Sequence, residues 1–186
     1  TSLGLGRSDG QTEALAYRFP DTRIPVFEVA VEIGFGIAFA PLVNPLPTEG
    51  VVVYNTCDDT VITLIPLSDA PHGLAVDSAQ GRLYVTRLED DSISIIDINP
   101  SSATYHQEVG LPITVGDQPE WIALSQKHGK GYVTNLGDGT VSVIDLNTNN
   151  VIGSPIIVGI QPFFVITDDD SDLAYVTNLG SDTVSV

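Results

Sequence analysis

The chain has 186 residues, 42% hydrophobic and 17% charged, the composition of a folded domain and not of a disordered segment. Its 24 acidic and 7 basic side chains leave a formal net charge of -17. That balance argues against nucleic acid and anionic lipid as partners, because both need lysine and arginine to displace counterions. One cysteine, Cys57, excludes an intrachain disulfide and a cysteine-built metal site, and no apolar run is long enough for a membrane-spanning helix.

Residues 1–14 read as an N-terminal extension. Their GLGRSDG stretch (4–10) has no following helix and no lysine to cradle a phosphate. Position 1 is Thr and the chain contains no Met, so a processed chain or a piece of a longer one is expected. Residues 15–34 form a partial unit: a degenerate strand and turn (15–26), then VFEVAVEIG (26–34). Residues 35–69 form a short unit around GFGIAFA, VVYN and CDDTVITLI. It is interrupted at 41–49, where Pro41, Pro45 and Pro47 predict a stiff excursion outside any sheet, beginning near Phe39.

The later units are fuller. Residues 70–116 contain PHGLAVD, YVTR, LEDDSISIID and QEVGLPITVG. Residues 117–159 contain PEWIALS, YVTN, LGDGTVSVID and VIGSPIIVG. Residues 160–186 contain PFFVITD, YVTN and LGSDTVSV. In each, the opening proline (Pro71, Pro119, Pro162) precedes the tyrosine by 13 residues. In all four strips the Thr or Ser after the turn follows the first strip residue by eight. The strips start 32, 48 and 43 residues apart, so the inner spacings hold while the connections vary.

The segments are short, rich in Val, Ile, Thr and Tyr, and bounded by Gly, Pro, Asp and Asn. Thr140–Asp145 alternates apolar and polar residues as a half-buried strand does. Each unit therefore reads as a meander of four strands, A to D. The B–C turns EDD, GDG and GSD supply residues suited to unusual backbone angles. Four strands recurring at this period predict an all-β fold, a β-propeller of four-stranded antiparallel blades; a sandwich or barrel would not require the sequence itself to repeat. Val133 and Val176 are expected to face the next blade, and Asn135 and Asn178 to bond the turn backbone. The short unit has no room for a D strand. About four blades are represented, some incomplete, so a larger ring of about seven is expected, completed by further chain or by another copy.

The strip, its Gly/Asp turn, the TVSVID strand and the proline-led segment resemble the YVTN-repeat β-propellers over about 26–186. The resemblance implies a secreted or surface-layer protein of bacteria or archaea, in the extracellular space or cell envelope, serving as a binding or assembly module. The wider superfamily also implies two alternatives: lactonase-like enzymes and quinone- or copper-dependent oxidoreductases with a site at the channel mouth. A third is a subunit of a layer or filament completed by neighbouring chains. Protein or cell-surface partners fit each of these.

Residues at the start of strand A should lie near the channel mouth. They read Phe35, His72, Glu120 and Phe163, with Trp121 and Phe164 beside them. So mixed a set does not make a metal-ligand ring, and His72, His106 and His128 fall at non-equivalent places. His72, Glu120, Trp121 and Phe163 are the candidate ligand contacts, and the aromatics among them serve equally as packing between blades. Asp168, Asp170 and Asp172 are candidate calcium ligands, against the plainer reading of a solvated turn. Glu89–Asp91 and Asp58–Asp59 read the same way. Cys57 sits in a turn with acidic neighbours and is not expected to act as a nucleophile. No catalytic residue and no obligatory cofactor is expected.

Overall fold

The computed structural model describes residues 30–32, 36–42, 49–58 and 60–186, all strand, turn and loop, without a helix among them. The first sheet holds β1 (Ala30–Glu32), β2 (Ile37–Leu42), β3 (Gly50–Asn55) and β4 (Thr60–Pro66) in that order. The second holds β5 (Pro71–Asp77), β6 (Arg82–Arg87), β7 (Ser92–Asp97) and β8 (Ile113–Thr114). The third holds β9 (Pro119–Ser125), β10 (Lys130–Asn135) and β11 (Thr140–Asp145), with β12 (Asn150–Val151) and β13 (Ile156–Ile157) both on the β11 edge. The fourth holds β14 (Pro162–Asp168), β15 (Leu173–Asn178) and β16 (Thr183–Ser185). All pairings are antiparallel, and the A, B and C strands fall on the segments expected from the repeat.

The sheets stack with their first strands side by side: β2 by β5, β5 by β9, β9 by β14. This is how propeller blades meet around an axis, and the partial blades fit an incomplete propeller. Each middle sheet is sandwiched. From β6, Leu83 and Val85 enter a core shared with Phe39, Val51 and Val53 of the first blade, while Tyr84 enters one shared with Ile122, Val133 and Ile144 of the third. Alternate residues of one strand thus serve opposite neighbours, and Leu83, Tyr84 and Val85 are all fully buried.

The direction is the reverse of the expectation. Val133 packs with the second blade and Val176 with the third, so both face the preceding blade. The tyrosine of the strip faces forward. Period-two alternation says which residues share a face, not which face meets which neighbour.

Two boundaries also move. Phe39–Leu42 continue strand β2, paired opposite Val53–Gly50, so the sheet persists past Pro41. Ala30–Glu32, expected in the D strand of an earlier unit, instead pair with β2. The rest of that partial unit, the 1–14 extension, Phe35 and residues 43–48 lie outside the described residues. The short blade has no strand beyond β4 among the described residues, and Val61 and Ile62 stand exposed there.

The turns carry the strain the sequence suggested. Asp91, Gly139 and Asp182 in the B–C turns all have positive φ, at 49°, 67° and 52°. The Asn135 side chain reaches past the backbone of its own turn, contrary to the expectation. Its Oδ1 accepts from Gly116 N–H (3.2 Å), and its Nδ2 donates to Thr140 Oγ1 and Ser142 Oγ (2.9 Å each). Asn178 repeats the pattern with Gly159, Thr183 and Ser185. One buried amide thereby ties strands B and C to the loop entering the blade.

Candidate functional site

Strand A of each later blade carries an extra residue just after its proline. Pro71 pairs with Arg87 and Leu74 with Val85, so His72 and Gly73 together oppose Thr86. Pro119 pairs with Asn135 and Trp121 with Thr134, leaving Glu120 over. Phe163 and Phe164 together oppose Thr177. Such bulges re-aim side chains away from the regular pleat. β2 has none: Ile37 and Ala38 pair without a shift with Asn55 and Tyr54.

The strip threonine secures each bulge. Thr86 Oγ1 accepts from Gly73 N–H (2.7 Å), Thr134 Oγ1 from Trp121 N–H (3.1 Å), and Thr177 Oγ1 from Phe164 N–H (3.0 Å). The hydroxyl then donates across the joint between blades, from Thr86 to the Glu120 carbonyl (3.2 Å) and from Thr134 to the Phe163 carbonyl (2.8 Å). The blades approach so closely that a Cβ on Gly73 would lie 2.8 Å from the Glu120 carbonyl oxygen.

On this frame the residues after the prolines form a row across three blades. His72 Nδ1 lies 3.2 Å from Glu120 Oε1, joining the second and third blades; Glu120 is buried and His72 half-buried. The hydrogen bond that His72 donates to Glu120 raises the His72 pKa above its ordinary value; burial opposes this, and the Glu120 and Asp69 charges add to it. Phe163 continues the row and meets Phe164 edge-on (4.7 Å, 83°). Phe164 in turn meets Trp121 at 4.5 Å and 80°. Trp121 packs against the core of Val141, Val165 and Val176, so it is a joint between blades. Of the four candidate contacts, the structure brings His72 and Glu120 into contact, links Phe163 through Phe164, and seats Trp121 between blades.

Asp69 was not singled out from the sequence. It is buried, its Oδ2 accepts from Glu89 and Asp90 N–H (3.0 Å each), and its charge reaches His72. Arg87 is a second omission. It stands where the strip otherwise has Asn, buried, donating to Ser94 Oγ (3.4 Å) and paired with Asp90 and, more loosely, Glu108 (3.9 Å). Its Nε and the Ser92 hydroxyl have no partner among the described residues.

The acidic turn at 168–172 meets a cationic one. Lys127 Nζ donates to Asp172 Oδ1 (2.6 Å) and to the Asp169 carbonyl (2.8 Å), and His128 Nε2 lies 2.8 Å from the same Asp172 oxygen. Ser125 Oγ donates to Asp169. Asp168 is occupied within its own turn by Asp170 N–H, Ser171 N–H and the Ser171 hydroxyl. Of the three candidate calcium ligands, Asp168 is thus bonded within its own turn and Asp172 to Lys127 and His128, while Asp170 gives its N–H to Asp168. Among the described residues no group of three or more His, Cys, Asp or Glu side chains is placed to hold a metal ion. A groove of about 310 Å³ opens beside this latch, lined by His128, Asp169, Asp172, Ile156 and Val186, and it does not include the His72–Glu120 pair. Cys57 is exposed in its turn.

No protein-family model matches the chain, and no curated protein does. Solved structures do. Hydrazine synthase of Kuenenia stuttgartiensis aligns at TM-score 0.70 and 23% identity, over 89% of this chain and 46% of that one. A functionally unknown protein from Desulfotomaculum acetoxidans DSM 771 aligns at 0.69 and 16%, over 84% and 53%. Apo AztD from Citrobacter koseri aligns at 0.58 and 19%, over 82% and 40%. At these identities the likeness is one of fold, of the β-propeller type. The chain spans about half the length of these neighbours.

Proposed function

We propose that the protein is a propeller of the YVTN-repeat kind that acts outside the cell or in its envelope as a binding or assembly scaffold, without chemistry of its own. One observation carries the reading. The polar residues that recur are consumed in holding blades together: Thr86 and Thr134 across joints, Asn135 and Asn178 within blades. The residues that differ from blade to blade, His72, Glu120 and Phe163, sit on the bulges where side chains are re-aimed. Repetition serves architecture, and the variable row serves recognition. The partner in this reading is a protein or cell-surface component, and association into a larger layer is compatible with it.

The His72–Glu120 contact favours one alternative, a lactonase-like or redox propeller with its site at the channel mouth. Elemental analysis of the intact protein, paired with a lactone-hydrolysis assay, separates the two. The scaffold reading expects no stoichiometric metal that depends on His72 and no turnover that depends on Glu120. A metal lost in His72→Ala, or turnover lost in Glu120→Gln, overturns it.

A further inference from the structure

We infer that the His72–Glu120 contact is a proton-strengthened clasp between the second and third blades, tight when His72 is charged and slack when it is not. The two residues lie 48 positions apart in the chain and meet at 3.2 Å, each on the bulge of its own strand A. The joint also holds apolar contacts, the Thr86 hydroxyl, bonds from Gln80, Arg82 and Tyr84 to the Leu146 carbonyl and the Asn149 side chain, and one from Gln118 N–H to Asp91. A histidine ordinarily titrates near neutrality, so its contact with Glu120 is a place in this joint where a proton changes the force between blades.

The chemistry at the contact is asymmetric. His72 presents Nδ1, which donates to Glu120 in the charged ring and, in the matching tautomer, in the neutral one. Deprotonation thus removes the ion pair and leaves a weaker hydrogen bond, from a neutral donor to the carboxylate. The groups around it act in one direction. Glu120 faces His72 from β9, and Asp69 acts from the β4–β5 loop. Arg87 on β6 is turned to Asp90, Ser94 and Glu108. The β2 strand carries no titratable residue, and the side chains of β1, Glu32 among them, lie outside the described residues.

The sign follows from the raised pKa. The stabilisation is complete below the ordinary histidine value of 6.5 and is lost as pH climbs through the higher folded value. The mouth is predicted to loosen in alkali and tighten in weak acid. For recognition this rests on the reading of the variable row as the binding surface; the clasp itself does not, and its test uses no ligand.

The test is an NMR titration of His72 in the whole chain, with thermal midpoints followed from about pH 5.5 to about pH 8.5, a span bracketing histidine titration. Glu120→Gln should move the His72 midpoint down. The thermal advantage of the unaltered chain over Glu120→Gln should shrink by about 2 °C or more across that range. His72→Gln, which keeps a donor but cannot titrate, should show no such pH-dependent loss. A His72 midpoint unmoved by Glu120→Gln overturns the clasp, and so do parallel pH profiles in the three proteins. If Glu120→Gln fails to fold, the His72→Gln profile alone decides: a slope equal to that of the unaltered chain overturns the proposal. A clasp that titrates as expected in a protein that proves enzymatic would leave the inference standing and remove the scaffold.

Discussion

The joint between the second and third blades and the joint between the third and fourth share a threonine and differ in their ions. Thr86 and Thr134 do the same work, each joining its own bulge to a carbonyl of the next strand A. The charged contacts sit at opposite ends of that strand. His72 and Glu120 join the second pair of sheets at the start of strand A, half-buried to buried. Lys127, His128, Asp169 and Asp172 join the third pair at the A–B turns, largely exposed. The repeat thus supplies one standard fastener, and the residues outside it give each joint a different response to pH and salt.

The largest expected effect comes from the amide inside the blade. Asn135→Leu strands the Gly116 N–H and two hydroxyls in a buried place, which should cost about 3 kcal/mol in a denaturant melt. The second blade offers the opposite change. Arg87→Asn would face Ser92 and Ser94, the counterparts of Thr140 and Ser142, and would remove an unsatisfied Nε. It should be neutral or stabilise by about 1 kcal/mol. A loss as large as that of Asn135→Leu would show that Arg87 is built into a role of its own with Asp90 and Glu108.

Next comes the threonine. Thr134→Val leaves the Trp121 N–H and the Phe163 carbonyl without their partner and should cost about 2 kcal/mol. Thr177→Val, whose hydroxyl accepts only from Phe164 N–H and is exposed, should cost under half as much. Equal losses would mean that the bond across the joint contributes little and that the bulge alone matters.

The smallest effect belongs to the turn latch. Lys127 holds the Asp172 carboxyl below its ordinary value, with His128 adding to it, and the Ser125 hydroxyl does the same for Asp169. Lowered carboxyl values give stability that is present above the ordinary carboxylate range and lost as pH falls through it. Asp172→Asn should therefore flatten the acid side of the stability profile, whereas Glu120→Gln acts on the alkaline side. Because the latch is solvent-exposed, added salt should erase the Asp172→Asn difference first. A latch variant that changed only the alkaline side would break the distinction between the two joints.

Much of this was legible in the sequence. The proline, tyrosine and turn spacings located strands A, B and C because a repeated sheet must meet repeated neighbours. Counting residues leaves no room for a D strand in the short blade, and among the described residues no strand follows β4 in its sheet. The His72–Glu120 contact had a readable signal, since both residues follow their prolines by one position in successive units. Its two residue types looked like a mixed set, not a pair, because nothing in one chain says that equivalent places in adjacent blades touch. The bulge was illegible: an extra residue in β5, β9 and β14 leaves the spacing to the tyrosine unchanged.

The sequence by itself determined the class of fold and the order of strands. Period-two alternation and turn chemistry are local, and repetition multiplies their signal. The tertiary structure alone decided direction and partnership. It turned Val133 and Val176 toward the preceding blade, carried the sheet through Pro41, kept Asp168 bonded within its own turn while Asp172 met Lys127 and His128 of the third blade, and set His72 against Glu120. The facing of Val133 and Val176 and the contacts of Asp172 and His72 depend on how one sheet is rotated and stacked on the next. That geometry is fixed by contacts between residues tens of positions apart, so no window along the chain contains it.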